Sequence, residues 1–232
     1  MRKKAVLIIH GFAGGTYDQE KLAFFLELNG FDVYTFTLPG HEKLIYGKVK
    51  KEKWIESCEN HLQMLIDNKY KDISVVGHSM GGVLASYLAY KYSKNIKRLV
   101  LLAPAFKYLT FENDEFKMSS VIKNSPKIIN TYSKGEVFSR VIKFPSSVVK
   151  EFMELVNKFY DLPSLINCKT LIIQGANDDI VPVKSSEYVY ESLKSKNKKI
   201  YVIDNITHDI FKDGNNIEYI LNLIKDFLND KN

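Results

Sequence analysis

The feature that most restricts the fold of this chain is a strand-like apolar run that leads into a Gly-x-Ser-x-Gly motif at residues 77–81. β-branched residues precede the motif, and small and apolar residues follow it to residue 89. Glycines on both sides of a serine permit a sharp turn from strand to helix, because no side chain obstructs the turn. The pattern predicts that Ser79 is a nucleophile at the tip of this turn, at the positive end of the helix. The alternative is a tight glycine turn that contains an incidental serine.

One histidine follows Ser79 in the sequence, His208, and it comes shortly after a strand-like run at residues 199–203. Loops at the carboxyl edge of a parallel sheet are where groups that face a ligand are found. We therefore predict that His208 is the general base of the site. The alternative for an isolated histidine is a structural or surface role.

Two adjacent aspartates, Asp178 and Asp179, follow another strand-like run at residues 170–175. A carboxylate in this loop can orient the histidine and stabilise its protonated form. The run at residues 98–104 ends without a carboxylate, which removes the usual competing position. Aspartates are also common in turns, so neither residue is distinctive by itself. We take Asp178 as the acid and keep Asp179 as the alternative.

A glycine-rich loop at residues 10–15 follows the first strand-like run, at residues 5–9. Acyl transfer requires two N–H donors that point at the oxyanion of the tetrahedral intermediate. The predicted donors are the amide of Met80, directly after the nucleophile, and the amide of Phe12 in this loop. His10 has the alternative role of a strand-ending residue whose imidazole is hydrogen-bonded inward.

These motifs resemble those of the α/β-hydrolases, and within that superfamily those of the small carboxylesterases and monoacylglycerol lipases. The resemblance spans nearly the whole chain except about residues 105–165. The matching motifs are His10-Gly11-Phe12, Leu38-Pro39-Gly40-His41, Gly77-His78-Ser79-Met80-Gly81-Gly82, the pattern Gly175-x-x-Asp178-x-x-Val181-Pro182, and His208.

The resemblance implies a serine hydrolase that cleaves carboxylic esters through an acyl-enzyme intermediate. It implies Ser79, Asp178 and His208 as the catalytic triad, with the amides of Phe12 and Met80 as the oxyanion hole. Strands that often precede the first loop in larger relatives do not occur in this sequence, so a smaller sheet is expected. The same machinery also serves amide, peptide or carbon–carbon bond hydrolysis and transfer to another alcohol. A non-catalytic ligand-binding protein of this fold is the alternative from another class.

Strand-like runs alternate with helical patterns along the chain, which is typical of α/β proteins. The runs lie at about residues 5–11, 32–38, 73–78, 98–104, 170–175 and 199–204, and the helical patterns near 17–29, 51–68, 80–92, 184–195 and 215–229. We predict one domain over residues 1–232, with a mainly parallel sheet of about six strands and helices on both faces.

Residues 105–165 break this alternation and are rich in aromatic side chains. An insertion after a sheet strand, near the carboxyl edge, is expected to lie above Ser79 as a cap. Phe106, Phe138 and Phe152 are candidates to line an acyl pocket within it. The alternative is that the aromatic residues form a small core of the cap itself.

The chain carries a formal net charge of +6, and its lysines cluster at residues 48–51 and 194–199. Neither cluster contains interleaved aromatic residues, so we expect solvated surface and no nucleic-acid partner. The sequence has no zinc-type histidine spacing and no Gly-x-Gly-x-x-Gly loop after a strand, so neither a metal nor another cofactor is expected.

No apolar run is long enough to cross a membrane, and Cys58 and Cys168 form no disulfide or metal motif. A cytoplasmic protein without stable membrane insertion is therefore expected. The expected partner is a small-molecule ester with an apolar acyl group, and the expected assembly is a monomer or a homodimer.

Overall fold

The computed structural model describes residues 4–42, 48–107, 111–112, 115–116, 144–212 and 216–230. The strands are β1 (Lys4–Ile9), β2 (Asp32–Thr35), β3 (Asp72–His78), β4 (Ile96–Leu102), β5 (Phe111–Glu112), β6 (Glu115–Phe116), β7 (Lys169–Gly175) and β8 (Lys198–Ile203). The helices are α1 (Glu20–Leu28), α2 (Lys51–Asp67), α3 (Met80–Lys91), α4 (Ser146–Lys158), α5 (Val183–Ser192) and α6 (Ile217–Leu228), with short 3₁₀ helices at Thr16–Gln19 and Leu162–Leu165. None of the helices within these ranges combines the length and the apolar character needed to span a bilayer.

Six of the strands form one parallel sheet in the order β2-β1-β3-β4-β7-β8, and β5 and β6 form a separate antiparallel pair. After β1 the chain forms β2, which pairs with one edge of β1, and then returns to form β3, which pairs with the opposite edge of β1. The connections that leave β1 and β3 therefore go to opposite faces, and α/β sheets bind ligands at such a switch point. The register places Ile9 beside Gly77, so the loop after β1 starts next to the Gly-x-Ser-x-Gly turn.

Both faces of the sheet are buried, which explains the continuous apolar character of its strands. In β1, Ala5, Leu7 and Ile9 belong to the core that includes α2, α3, α4 and α5. Val6 and Ile8 belong to the opposite core, with α1 and α6. Each fully buried aliphatic side chain contributes roughly 1.5–3 kcal/mol. The predicted α/β fold, a parallel sheet of six strands with helices on both faces, is confirmed.

The boundaries of two elements differ from the sequence prediction. β2 ends at Thr35, although the strand-like run continues to Leu38. The reason is that the N–H of Leu38 donates to Nε2 of His10 at 2.9 Å, outside the sheet ladder. A 3₁₀ turn at Thr16–Gln19 also takes the place of the first turn of the helix predicted from residue 17.

A helix that the sequence analysis did not predict, α4, lies within the segment interpreted as a cap. Its side chains Val148, Leu155 and Val156 are buried in the same core as α2 and α3. This part of the segment therefore packs on the body of the domain. That the whole segment covers Ser79 stays a prediction.

Glu151 of α4 fixes this helix to the start of α2. Its Oε1 accepts a hydrogen bond from Nζ of Lys50 at 2.7 Å, and its Oε2 accepts from the backbone N–H and from Nζ of Lys51 at 3.2 and 3.1 Å. Burial by itself raises the pKa of the Glu151 carboxyl, but the hydrogen bonds from both lysines outweigh it and lower the pKa to about 2. A carboxylate is also favoured at the positive N-terminus of a helix.

We expect Glu151→Gln to lower the free energy of unfolding at neutral pH by about 1–3 kcal/mol, because charged hydrogen bonds are lost. The folded-state pKa of about 2 lies below that of an unfolded glutamate, about 4.3. The carboxylate therefore stabilises the fold above about pH 5 and loses this effect as the pH falls toward 2. Urea unfolding at several pH values measures both effects.

The matched control is Glu154→Gln, since Glu154 is half exposed and contacts Nζ of Lys51 without reaching the backbone. That substitution should cost less than about 1 kcal/mol. Equal losses for the two variants, or a Glu151 effect that does not shrink in acid, would show that Glu151 does not anchor α4.

Candidate active site

Ser79 lies between β3 and α3 with backbone angles of φ 53° and ψ −117°. A positive φ is unfavourable for a residue with a Cβ atom and costs roughly 1–3 kcal/mol. The N–H of Ser79 donates to the carbonyl of Leu102 at 2.9 Å, and the carbonyl of Ser79 accepts from the N–H groups of Gly82 at 2.9 Å and Ala105 at 3.1 Å. Backbone at and just after the end of β4 therefore holds this strained turn in place.

The glycines of the motif are required by close approaches of backbone. A Cβ atom on Gly77 would collide with the carbonyl of Gly81, and one on Gly81 would collide with the carbonyl of Ile9. Larger residues at either position would push α3 away from the sheet or from the loop after β1. The local sequence thus determines both the turn and its contact with β1.

The loop after β1 passes directly beside Ser79. A Cβ atom built on Gly11 would lie 3.1 Å from Cβ of Ser79 and 3.2 Å from Nδ1 of His78. Within the part of the chain that the structure describes, the backbone N–H groups of Phe12 and Met80 have no hydrogen-bond acceptor. Two backbone donors are therefore available on the elements that flank Ser79.

His10 holds this loop from inside the protein. Its Nδ1 donates to the carbonyl of Gly11 at 2.8 Å, and its Nε2 accepts from the N–H of Leu38 at 2.9 Å. Burial, assisted by the nearby His41, lowers the pKa of His10 to about 3. A neutral imidazole with both nitrogens bonded has a structural role, which is the alternative that the sequence left open.

Asp178 and His208 form a buried pair at the carboxyl edge of the sheet. Oδ2 of Asp178 accepts a hydrogen bond from Nδ1 of His208 at 2.8 Å, while Oδ1 accepts from the N–H groups of Ile180 at 2.9 Å and Val181 at 2.8 Å. Burial opposes ionisation of Asp178, but the contact with His208 and these hydrogen bonds lower its pKa. Since Nδ1 carries the proton that faces the carboxylate, Nε2 is left as the basic nitrogen.

The neighbouring aspartate occupies a different environment. Asp179 is exposed, whereas the side chain of Asp178 is fully buried. The loop that carries His208 reaches Asp178 because Gly175 lies against the backbone of Ile206, where a Cβ atom would collide with the carbonyl. The carboxylate that contacts His208 is therefore that of Asp178.

Two buried polar residues around this pair had no assigned role in the sequence analysis. Nε2 of His78 donates to the carbonyl of His208 at 2.9 Å, and the two imidazole centroids lie 4.7 Å apart. The amide of Gln174 donates to Oδ2 of Asp178 at 2.9 Å. The sequence signal that could have identified them is a polar residue at or next to the carboxyl end of a strand, directly after its apolar residues. His78 ends β3 in this way, and Gln174 is the penultimate residue of β7.

Aromatic side chains surround Phe12 above the loop after β1. The ring of Phe12 stacks on Phe152 of α4 with centroids 4.8 Å apart and an interplanar angle of 10°, and it lies 4.6 Å from the ring of Phe144. Trp54 and His41 contact the edge of this group, at 6.2 and 5.7 Å from Phe12. We call these five residues the aromatic cluster.

The three predicted acyl-pocket residues have different positions. Phe152 belongs to the aromatic cluster and is 8% exposed. Phe106 is fully buried, and its N–H donates to Oγ of Ser185 at 3.0 Å. Phe138 lies outside the described residues. Of these three, Phe152 is the one seen in contact with Phe12.

The described residues contain no group of three or more His, Cys, Asp or Glu side chains that could hold a metal ion. They place the loop after β1 beside Ser79, bond His78, the residue before Ser79, to the carbonyl of His208, and hold the His208 imidazole against the buried carboxylate of Asp178. These are the groups required for nucleophilic acyl transfer.

Known proteins resemble this chain over most of its length. The alpha/beta hydrolase fold family model matches residues 4–125, and a serine aminopeptidase S33 model matches residues 109–215. A carboxylesterase of Bacillus subtilis is 24% identical over 220 residues, which cover 90% of this chain and 86% of the relative. A monoacylglycerol lipase of Mus musculus is 24% identical over 248 residues, covering 90% and 71% of the two chains.

Solved structures share the fold at lower identity. A monoacylglycerol lipase of Paleococcus ferrophilus superposes with a TM-score of 0.75 at 20% identity, covering 98% of this chain and 95% of that chain. A meta-cleavage product hydrolase of Pseudomonas fluorescens gives a TM-score of 0.69 at 18% identity, with coverages of 100% and 92%. Since neighbours with different activities share this architecture, the likeness establishes the fold alone.

Proposed function

The chain belongs to the α/β-hydrolase fold family, and we propose that it is a serine hydrolase that cleaves small carboxylic esters through an acyl-enzyme intermediate. Its carboxylesterase and monoacylglycerol lipase relatives support an enzyme that hydrolyses esters. The observation that carries the serine mechanism is the 2.8 Å contact between Nδ1 of His208 and the buried carboxylate of Asp178. This contact gives the imidazole the tautomer that a general base requires.

In the acylation step, Oγ of Ser79 attacks the carbonyl carbon of the ester and its proton passes to Nε2 of His208. The amides of Phe12 and Met80 donate to the oxyanion of the tetrahedral intermediate. When the intermediate collapses, the bond between the acyl carbon and the alkoxy oxygen breaks. His208 gives its proton to the leaving alcohol, and the acyl group stays on Ser79.

In the deacylation step, a water molecule attacks the acyl carbon and gives a proton to His208. The second tetrahedral intermediate uses the same two amides, and its collapse returns the proton to Ser79 and releases the carboxylic acid. Asp178 remains ionised throughout and stabilises the imidazolium that forms in each step. Its two backbone hydrogen bonds to Oδ1 favour that ionised form.

The acyl group is proposed to lie beside the aromatic cluster, with residues 105–165 acting as a cap over Ser79. The stack of Phe152 on Phe12 supports this placement, because Phe12 also carries one of the proposed oxyanion donors. An apolar pocket of this kind suits short to medium acyl chains. Each buried methylene group contributes about 0.8 kcal/mol.

Peptide or amide hydrolysis is the second candidate, since the serine aminopeptidase S33 model matches residues 109–215. The same groups can expel an amine in place of an alcohol. Parallel assays with p-nitrophenyl esters and aminoacyl p-nitroanilides separate the two. Ester turnover without anilide turnover supports the proposed function, and the reverse result replaces it.

We expect kcat/KM for p-nitrophenyl esters to rise up to about fourfold per added methylene and then to fall when the pocket is filled. Phe152→Ala should move the optimum to longer acyl chains, because it removes a ring that packs on Phe12. Phe106→Ala and Phe138→Ala are measured in the same series. A chain-length series from acetate to decanoate gives each optimum.

The matched control is Phe24→Ala, since Phe24 of α1 is 61% exposed and belongs to neither the site nor the core. Its optimum should equal that of the wild type. If none of the three cap variants moves the optimum, their rings are part of the protein core and do not line the acyl pocket.

A further inference from the structure

Gln174, the penultimate residue of β7, is completely buried beside Asp178. Its Nε2 lies 2.9 Å from Oδ2 of Asp178, 3.1 Å from the carbonyl of Val181 and 3.2 Å from the carbonyl of Gly175. Its Oε1 lies 2.7 Å from Oγ of Ser186, on α5. The side chain therefore uses both ends of its amide inside the protein.

The orientation of this amide follows from its neighbours. A carboxylate and two carbonyls can only accept hydrogen bonds, so the amino group of Gln174 must face them. The hydroxyl of Ser186 then donates to Oε1 of Gln174. A continuous series of hydrogen bonds results, from Ser186 through Gln174 and Asp178 to His208.

Oδ2 of Asp178 thus accepts from two side chains, Gln174 and His208. The N–H dipole of Gln174 directs its positive end at the same oxygen that binds the histidine. Such a donor stabilises the carboxylate and also weakens its hold on an imidazolium proton. It restricts rotation of the carboxylate as well, because the direction of Oδ2 is fixed from two sides.

We propose that Gln174, held by Ser186, is a positioning residue that keeps Oδ2 of Asp178 directed at His208 and limits the negative charge that this oxygen presents to the imidazole. This inference rests on the proposed function of the Ser79, Asp178 and His208 site. Gln174 is a positioning residue because it contacts the carboxylate of Asp178 and acts through it.

The test replaces Gln174 with Met, which has a similar volume but no donor. We expect kcat for p-nitrophenyl acetate to fall about 10- to 100-fold with KM changed less than about threefold, as for other partners that orient a site residue. The acid limb of the pH profile of kcat/KM should move to higher pH, because Asp178 without this donor stabilises a positively charged partner more strongly. Ser186→Ala leaves Gln174 in place but removes the hydrogen bond to its Oε1. This variant should shift the acid limb of the pH profile in the same direction, but by less.

The matched control is Ser185→Ala, since Ser185 is an equally buried serine beside Ser186 that bonds to the carbonyl of Pro104 at 2.6 Å instead. It should lose stability without moving the acid limb. NMR titration of the His208 ring protons in each variant gives the same midpoint without requiring turnover. An unmoved midpoint in both Gln174→Met and Ser186→Ala overturns the inference, and Ser186→Ala decides alone if Gln174→Met does not fold.

Failure of the proposed function gives a different result. If the wild type neither hydrolyses esters nor reacts with a fluorophosphonate, the serine hydrolase assignment falls, whereas the NMR midpoints still test Gln174. If the wild type is active and the midpoints are identical, Gln174 has only a structural role and the proposed function stands.

Discussion

Replacement of Ser79 by alanine is expected to lower kcat/KM for p-nitrophenyl esters by roughly three to six orders of magnitude, the range found when such triads lose a member. Without Oγ no acyl-enzyme forms, and the amides of Phe12 and Met80 can assist only direct attack by water. Steady-state kinetics and labelling by a fluorophosphonate probe measure the two consequences. The wild type should take up one probe per chain, and the variant should take up none.

The matched control for this experiment is Ser86→Ala. Ser86 lies on the same helix, α3, and is fully buried, so its replacement should leave both activity and labelling close to wild type. Mass spectrometry of the labelled wild type should locate the probe on Ser79. Stoichiometric labelling of another serine, or an active Ser79→Ala enzyme, would exclude Ser79 as the nucleophile.

Asp178→Asn should reduce kcat by about 10⁴-fold, because the histidine is left in the wrong tautomer. The backbone N–H groups of Ile180 and Val181 require an acceptor at the position of Oδ1, so the oxygen of the introduced amide should occupy it. The amino group then faces His208 and Gln174. His208 can satisfy this donor only by accepting at Nδ1, which places its proton on Nε2 and removes the general base.

The control is Asp179→Asn, at the neighbouring exposed residue, where the expected loss is less than about tenfold. Thermal unfolding of both variants separates a loss of chemistry from a loss of fold. A larger kinetic effect at Asp179 than at Asp178 would show that the acid had been assigned to the wrong neighbour. The comparison is therefore a direct test of the geometry around Oδ1 and Oδ2.

The sequence alone was sufficient to predict the fold class and the local conformation at Ser79. Strands buried on both faces must be apolar throughout, which makes β1, β3, β4 and β7 visible as continuous runs. The turn at Ser79 depends on glycines at fixed offsets, and these are local in sequence. The edge strand β2 was predicted too long, because its last residues leave the sheet for a contact with His10.

The helix α4 was not predicted, although it packs into the main core. The buried side chains Val148, Phe152, Leu155 and Val156 do recur at helical spacing, but this signal was not used because the segment at residues 105–165 was interpreted from its aromatic content alone. Its anchor, Glu151, binds Lys50 at a separation of 101 residues. Nothing near Glu151 in the sequence indicates that its carboxylate is buried or that it meets the start of another helix.

Sequence by itself determined what depends on neighbours along the chain: the parallel sheet, the glycine turn that carries Ser79, and the order of serine, aspartate and histidine. The spacing of this loop favoured Asp178 and left Asp179 as the alternative, and only the tertiary structure shows which of the two carboxylates turns inward to contact His208. It also decided which side chains meet Asp178 and Phe12. Those contacts join separate strands, helices and loops, and their distances depend on how the elements pack, which no local pattern of residues encodes.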